Sequence, residues 1–203
     1  MSEHVTKFPK QEQEDQELEP RAEVRRMGSL TIFVIVVTLI ALVFLVALHA
    51  QDKYALVSPD GIAFSDFTGY EDWADVSSAK QDDILKVIVA NPKMITAFKG
   101  GVPVNGQPFP EGSMIVKLQW KVKKSTEAQF AVDVPDYFTQ AFVMEKDSRR
   151  FPKSNGGWGY AVFNYDVATK KFTADPTSHS DCGNTCHTAV KQKDYIFHPY
   201  EQR

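Results

Sequence analysis

The stretch SMIVKLQWKVK, Ser113–Lys123, alternates along its whole length. Met114, Val116, Leu118, Trp120 and Val122 share one side, and Ile115, Lys117, Gln119, Lys121 and Lys123 share the other. Successive side chains of a strand point to opposite faces, so a period of two with β-branched and aromatic residues predicts a strand. Two further strands are predicted downstream, at Phe138–Glu145 (FTQAFVME) and Trp158–Tyr165 (WGYAVFNY), around the turn-rich Phe151–Gly157. Upstream, Asp82–Ala90 (DDILKVIVA) fits either the start of a helix or a buried strand, and Asn91-Pro92 stops it. Lys99–Gly112 is rich in Gly and Pro and reads as a loop. The segment 166–181 reads as irregular and leads into the cysteines. No internal repeat is evident. The expected fold class is mainly β, an antiparallel sheet domain with one or two helices.

A different pattern precedes this domain. Leu30–Ala50 reads LTIFVIVVTLIALVFLVALHA, without Asp, Glu, Lys or Arg. About 20 apolar residues at ~1.5 Å rise cross a hydrocarbon layer of ~30 Å. For a cleaved signal peptide the run and its preceding arm are too long, and no small-x-small site follows. One N-terminal transmembrane helix is therefore expected. Arg21, Arg25 and Arg26 lie before it and the first basic residue after it is Lys53. The positive-inside rule then puts the N-terminus in the cytoplasm and the C-terminal domain in the periplasm, on a single-pass inner-membrane anchor. The expected organisation is a polar, acidic, disordered cytoplasmic tail over 1–29, an anchor over 30–50 and an extracytoplasmic domain over 51–203. A net charge of −3 excludes a generally basic nucleic-acid binder.

The chain has two cysteines, Cys182 and Cys186, and His187 follows the second directly. Covalent haem attachment needs two thiols for two vinyl groups and an imidazole for the iron, usually spelled C-x-x-C-H. Here three residues intervene, and Gly183 is expected to absorb the extra one with a positive φ. A Cys182–Cys186 disulfide would also suit an oxidising compartment. A zinc site lacks a second cysteine pair, and a thioredoxin-like site needs C-x-x-C within a βαβ unit. Spacing leaves haem and disulfide both open; the outward topology adds weight to haem.

Several ordered pieces surround this cluster: Tyr70-x-x-Trp73, Phe109-x-x-Gly112, the strand carrying Lys117, Lys146-Asp147-Ser148-x-Arg150-Phe151, the Trp158–Phe163 strand, and Asp194-Tyr195-x-Phe197. From Tyr70 to Tyr200 the chain resembles the cytochrome P-460 family of hydroxylamine-oxidising monohaem cytochromes and the related nitric-oxide-binding cytochromes c-prime-beta. The resemblance implies a mainly β fold, usually a homodimer, and one covalent haem c per chain. Cys182 and Cys186 would attach it, with His187 as the iron ligand. It also implies that Lys117, five residues after Gly112, is the catalytic lysine bonded to the porphyrin edge. Read from the strand alone, Lys117 is a solvated lysine beside Lys121 and Lys123. Ala189 departs from the family pattern, standing close after His187 where some hydroxylamine-active relatives carry a carboxylate.

Candidate sixth ligands are Met94, Met114, Met144, His179 and His198, each with a plainer reading: Met114 and Met144 fit apolar strand faces, His198-Pro199 an ordinary tail, and His179 is too near the attachment loop to cross the ring easily. A five-coordinate iron with an open aromatic face is thus expected, lined by Phe64, Phe67, Trp73 and Phe98. Four functions follow: an oxidoreductase acting on hydroxylamine or nitric oxide with an unidentified electron acceptor, a small-gas binder, an electron carrier with a strong sixth ligand, or a haem-free domain with a disulfide.

Overall fold

The computed structural model describes residues 32–38 and 52–200. Residues 32–38 are helical (α1), and the Thr38 hydroxyl donates to the carbonyls of Val34 and Ile35. No helix among the described residues is long and apolar enough to cross a membrane. The rest of the expected anchor over 30–50, and the whole expected tail over 1–29, lie outside the described residues.

The second unit is built on a six-stranded antiparallel meander in sequence order: β1 Ala74–Gln81, β2 Ile84–Ala90, β3 Met114–Lys124, β4 Asp133–Lys146, β5 Trp158–Asp166 and β6 Lys171–Ala174. The three expected strands are its centre, β3 to β5. The ambiguous Asp82–Ala90 is a strand from Ile84 onward, paired on both sides, which is why its apolar run shows no alternation. β1 escaped the sequence reading because ADVSSAKQ buries only Val76; a polar edge strand carries little period-two signal. β6 corrects the irregular reading of 166–181, and its four residues are too few for a pattern.

Asn91-Pro92 does end β2, but it also starts a helix. The Asn91 side chain accepts from the Met94 N–H at 3.0 Å and Pro92 opens α2 (Pro92–Lys99), a position where its missing N–H costs nothing. Met94, Ile95 and Phe98 point this helix into the core.

Both faces of the sheet are covered. Val116, Val143, Ala161 and Phe163 face the chain that precedes β1, which supplies Ile62, Phe64, Phe67 and Tyr70. Phe64 is fully buried, its ring 4.5 Å from that of Phe67, 5.2 Å from Phe163 and 5.0 Å from Phe172. The second face presents Ile88, Ile115, Met144 and Tyr160 and is covered partly by α2 and partly by the C-terminal segment. Replacing Phe64 by Ala should remove about 3–5 kcal/mol of stability in urea denaturation; a loss below about 1 kcal/mol would show that this layer is not a packed core.

Candidate functional site

The cysteines lie on α3, Ser180–His187. Asp60 fixes the start of this helix: its carboxylate accepts from the Ser180 N–H at 2.5 Å and bonds His179 Nδ1 at 2.9 Å. Burial pushes the Asp60 carboxyl up, but these bonds outweigh it and hold the group below its ordinary value. Further along, the Asn184 side-chain oxygen Oδ1 accepts from the Ser154 hydroxyl and the Asn155 N–H. Cys182 and Cys186 are four residues apart on a helix and therefore share a face, one turn apart. The extra residue is absorbed by helical rise, and Gly183 has no positive φ. Its smallness serves another purpose: a Cβ there would stand 2.2 Å from Cγ of Tyr160. α3 is thus seated directly on the β5 aromatic ring. Both thiols are free and exposed, with no disulfide between them.

A cavity of about 430 Å³ opens between α3, the residues after it and the second sheet face. Cys182, Cys186 and His187 contribute to one wall and Lys117 and Phe142 to another, and the partly exposed Phe197 also lines it. The sequence pieces assigned to cofactor attachment are therefore brought together around one space.

His187 is held in a defined tautomer. Its Nδ1 lies 2.6 Å from the Tyr195 carbonyl oxygen, which can only accept, so Nδ1 carries the proton and Nε2 keeps its lone pair. No described residue bonds Nε2. The ring lies 5.0 Å from that of Tyr160 and 4.9 Å from that of Phe197. Burial pushes its pKa down, the Tyr195 bond opposes this, and the Lys117 charge adds to the depression. The imidazole is neutral at physiological pH, the form that binds a metal.

Lys117 is not the solvated lysine of the simple strand reading. It is half-buried, its ammonium 3.9 Å from the centre of the Phe142 ring, directly across the β3–β4 pair. No carboxylate among the described residues pairs with it. Lys121 and Lys123, on the same side of β3, reach Asp83 at 2.6 Å and Asp136 at 3.2 Å. One side of β3 thus passes from cavity wall to water along its length. Burial, and then the Lys86 charge, push the Lys117 amine below its ordinary pKa, against an opposing pull from Cys186. A larger unprotonated fraction makes it a better nucleophile.

Tyr160 adds a buried hydroxyl with no hydrogen-bond partner among the described residues, its pKa raised by burial and by Tyr195 and Asp194. Two thiols one turn apart, an imidazole with a free Nε2, aromatic walls and an orphan phenol fit a large, mostly apolar prosthetic group with a metal centre.

Of the expected sixth ligands, Met144, His179 and His198 line the cavity. Met94 and Met114 are buried in the two cores away from it. The expected aromatic lining is corrected. Phe64, Phe67 and Trp73 pack on the opposite face of the sheet, and Phe98 packs on Phe109 and Tyr200. The aromatic rings present are Phe142, Tyr160 and Phe197. Phe142 was findable, since it is the cross-strand partner of Lys117 once β3 and β4 are paired. Ala189 is exposed and does not line the cavity, so a carboxylate there would face water.

Gly183→Ala should destabilise the protein by about 1–3 kcal/mol in thermal or urea denaturation, because the methyl collides with Tyr160. This reverses the sign of about 1 kcal/mol that Gly-to-Ala ordinarily gains inside a helix, so a stabilised variant would disprove the close seating of α3.

Residues 67–198 match the family model described as Cytochrome P460. No curated protein matches the chain. The match runs from the end of the first-face aromatic cluster through both cysteines, His187 and the closing C-terminal segment, and on this ground the chain belongs to the cytochrome P460 family, whose members bind haem c.

Proposed function

We propose that this protein is a membrane-anchored monohaem c-type cytochrome that acts on hydroxylamine or nitric oxide at a five-coordinate iron. The observation that carries this reading is the His187 imidazole, fixed through Nδ1 to the Tyr195 carbonyl with Nε2 unbonded, in the same cavity as both thiols and Lys117. Cys182 and Cys186 would carry the two thioether bonds, one haem per chain, and His187 would bind the iron. Lys117, with its depressed amine pKa, would bond the porphyrin edge, a C–N bond replacing a ring C–H with two electrons passing to an external oxidant. Bound haem would supply an iron that accepts electrons from a small nitrogen substrate and passes them to an external acceptor. The chain's own part is to exclude water with Phe142 and Phe197 and to take up protons. For the latter, His179 stands at the cavity with Nδ1 held by Asp60, a carboxylate–imidazole pair suited to general-base work.

The uncharged Leu30–Ala50 run and the arginines before it support a single-pass inner-membrane anchor with the cytochrome domain in the periplasm. A homodimer rests on the family resemblance alone. A second reading has its own observation: Met144 and His198 line the cavity, and either one on the iron would make the protein an electron carrier. A gas binder without turnover shares the five-coordinate geometry.

Haem stain should survive denaturing electrophoresis of the mature protein and disappear when Cys182→Ser and Cys186→Ser are combined; an unstained wild-type band would sink the proposal. The ferrous spectrum should be red-shifted, and Lys117→Ala should return it to that of an ordinary haem c. A low-spin six-coordinate spectrum would select the electron carrier. Hydroxylamine turnover with an artificial acceptor separates enzyme from gas binder.

A further inference from the structure

We propose that the buried Lys146–Asp194 ion pair is a positioning device for His187, acting through the Tyr195 carbonyl and thereby setting the reduction potential of the metal that His187 holds. The inference rests on the haem reading above.

The hydrogen bond to His187 comes from an unusual piece of backbone. Asp194 and Tyr195 are consecutive non-glycine residues with φ of 47° and 67°, a region that side chains rarely adopt. The turn's own backbone bonds, from the Asp194 N–H to the Lys191 carbonyl and from the Tyr195 N–H to the Val190 carbonyl, close it locally, and three contacts hold it from outside. The Lys146 ammonium donates to both Asp194 carboxylate oxygens, at 2.9 and 3.0 Å, with the side chains only 6% and 10% exposed. The Phe109 N–H donates to the same carboxylate at 2.7 Å. Gly156 closes the turn from the other side: a Cβ there would stand 2.6 Å from the Tyr195 ring and 3.1 Å from an Asp194 oxygen.

Lys146 itself has little freedom. It is the last residue of β4, its N–H bonded to the Ser113 carbonyl and its carbonyl accepting from Gly112, while its ammonium lies 5.1 Å from the Trp158 ring. Rigidity thus passes from the sheet to Lys146, to Asp194, to the Tyr195 carbonyl and so to the imidazole. An imidazole that donates strongly from Nδ1 is a more basic ligand at Nε2 and favours the oxidised metal. Weakening the clamp weakens that bond. A purely structural ion pair would affect folding and leave the metal's electronics unchanged.

The test uses the full-length holoprotein and reads the reduction potential together with the iron–histidine stretch of the ferrous form. Lys146→Met removes the charge while keeping length and apolar stem. The potential should move positive and the stretch should fall in frequency; Asp194→Asn should move both in the same direction by less. Lys146→Arg, which keeps the charge, should stay near wild type. If Lys146→Met does not fold, the Asn and Arg variants decide. Haem-loaded, folded Lys146→Met or Asp194→Asn with wild-type potential and stretch overturns the inference. Failure of the underlying reading looks different: wild-type protein without covalent haem, or an iron–histidine stretch that persists in His187→Ala.

Discussion

A lysine at the inner end of a central strand has no water to pair with, and in this protein that requirement governs where the segment after α3 goes. Isolating an ammonium in an apolar interior costs several kcal/mol, and removing one partner of a buried pair costs about 3–5 kcal/mol. Lys146 is therefore bound to Asp194, which is 48 residues later. With Asp194 fixed at the end of β4, the residues after α3 must fold back across the sheet, and the cavity is the space left beneath them. Arg150 does similar work for the opposite face of the sheet. It spans Glu145, Asp66 and the Gly61 carbonyl, tying the first-face cover to the same corner of the sheet.

This explains why some landmarks were legible in the sequence before their purpose was. Phe109, Lys146 and Asp194-Tyr195 stood out only as ordered pieces of a resemblance, scattered over the chain. In three dimensions they are one clamp, joined by hydrogen bonds between residues up to 85 positions apart. Spacing along the chain carries no direct record of such contacts. The strands of the sheet centre, by contrast, were readable because alternation is a local property, and β1 and β6 were not because one is polar and the other short.

The site was legible to a similar degree. Cys182, Cys186 and His187 line one cavity with Lys117, which is far from them in the chain. The aromatic lining was misplaced, for a reason of layering: a sheet covered on both faces has two aromatic populations, and composition does not say which face each joins. Phe64 and Phe67 went to the closed face. The register across β3 and β4 assigns Phe142 to the open one. Lys117 shows the same limit in charge, since a lysine in an alternating strand looks solvated until the element covering that face is known.

The cysteine spacing has a further meaning when expressed as angle. At about 100° per residue, a three-residue step on an α-helix leaves two side chains about 60° apart on one side of a common stripe, and a four-residue step leaves them about 40° apart on the other. Both spellings present two sulfurs to the same plane; they differ in the direction from which the first one leans. On a helix such as α3, C-x-x-x-C is the second of the two solutions that the pitch permits, with the opposite slant.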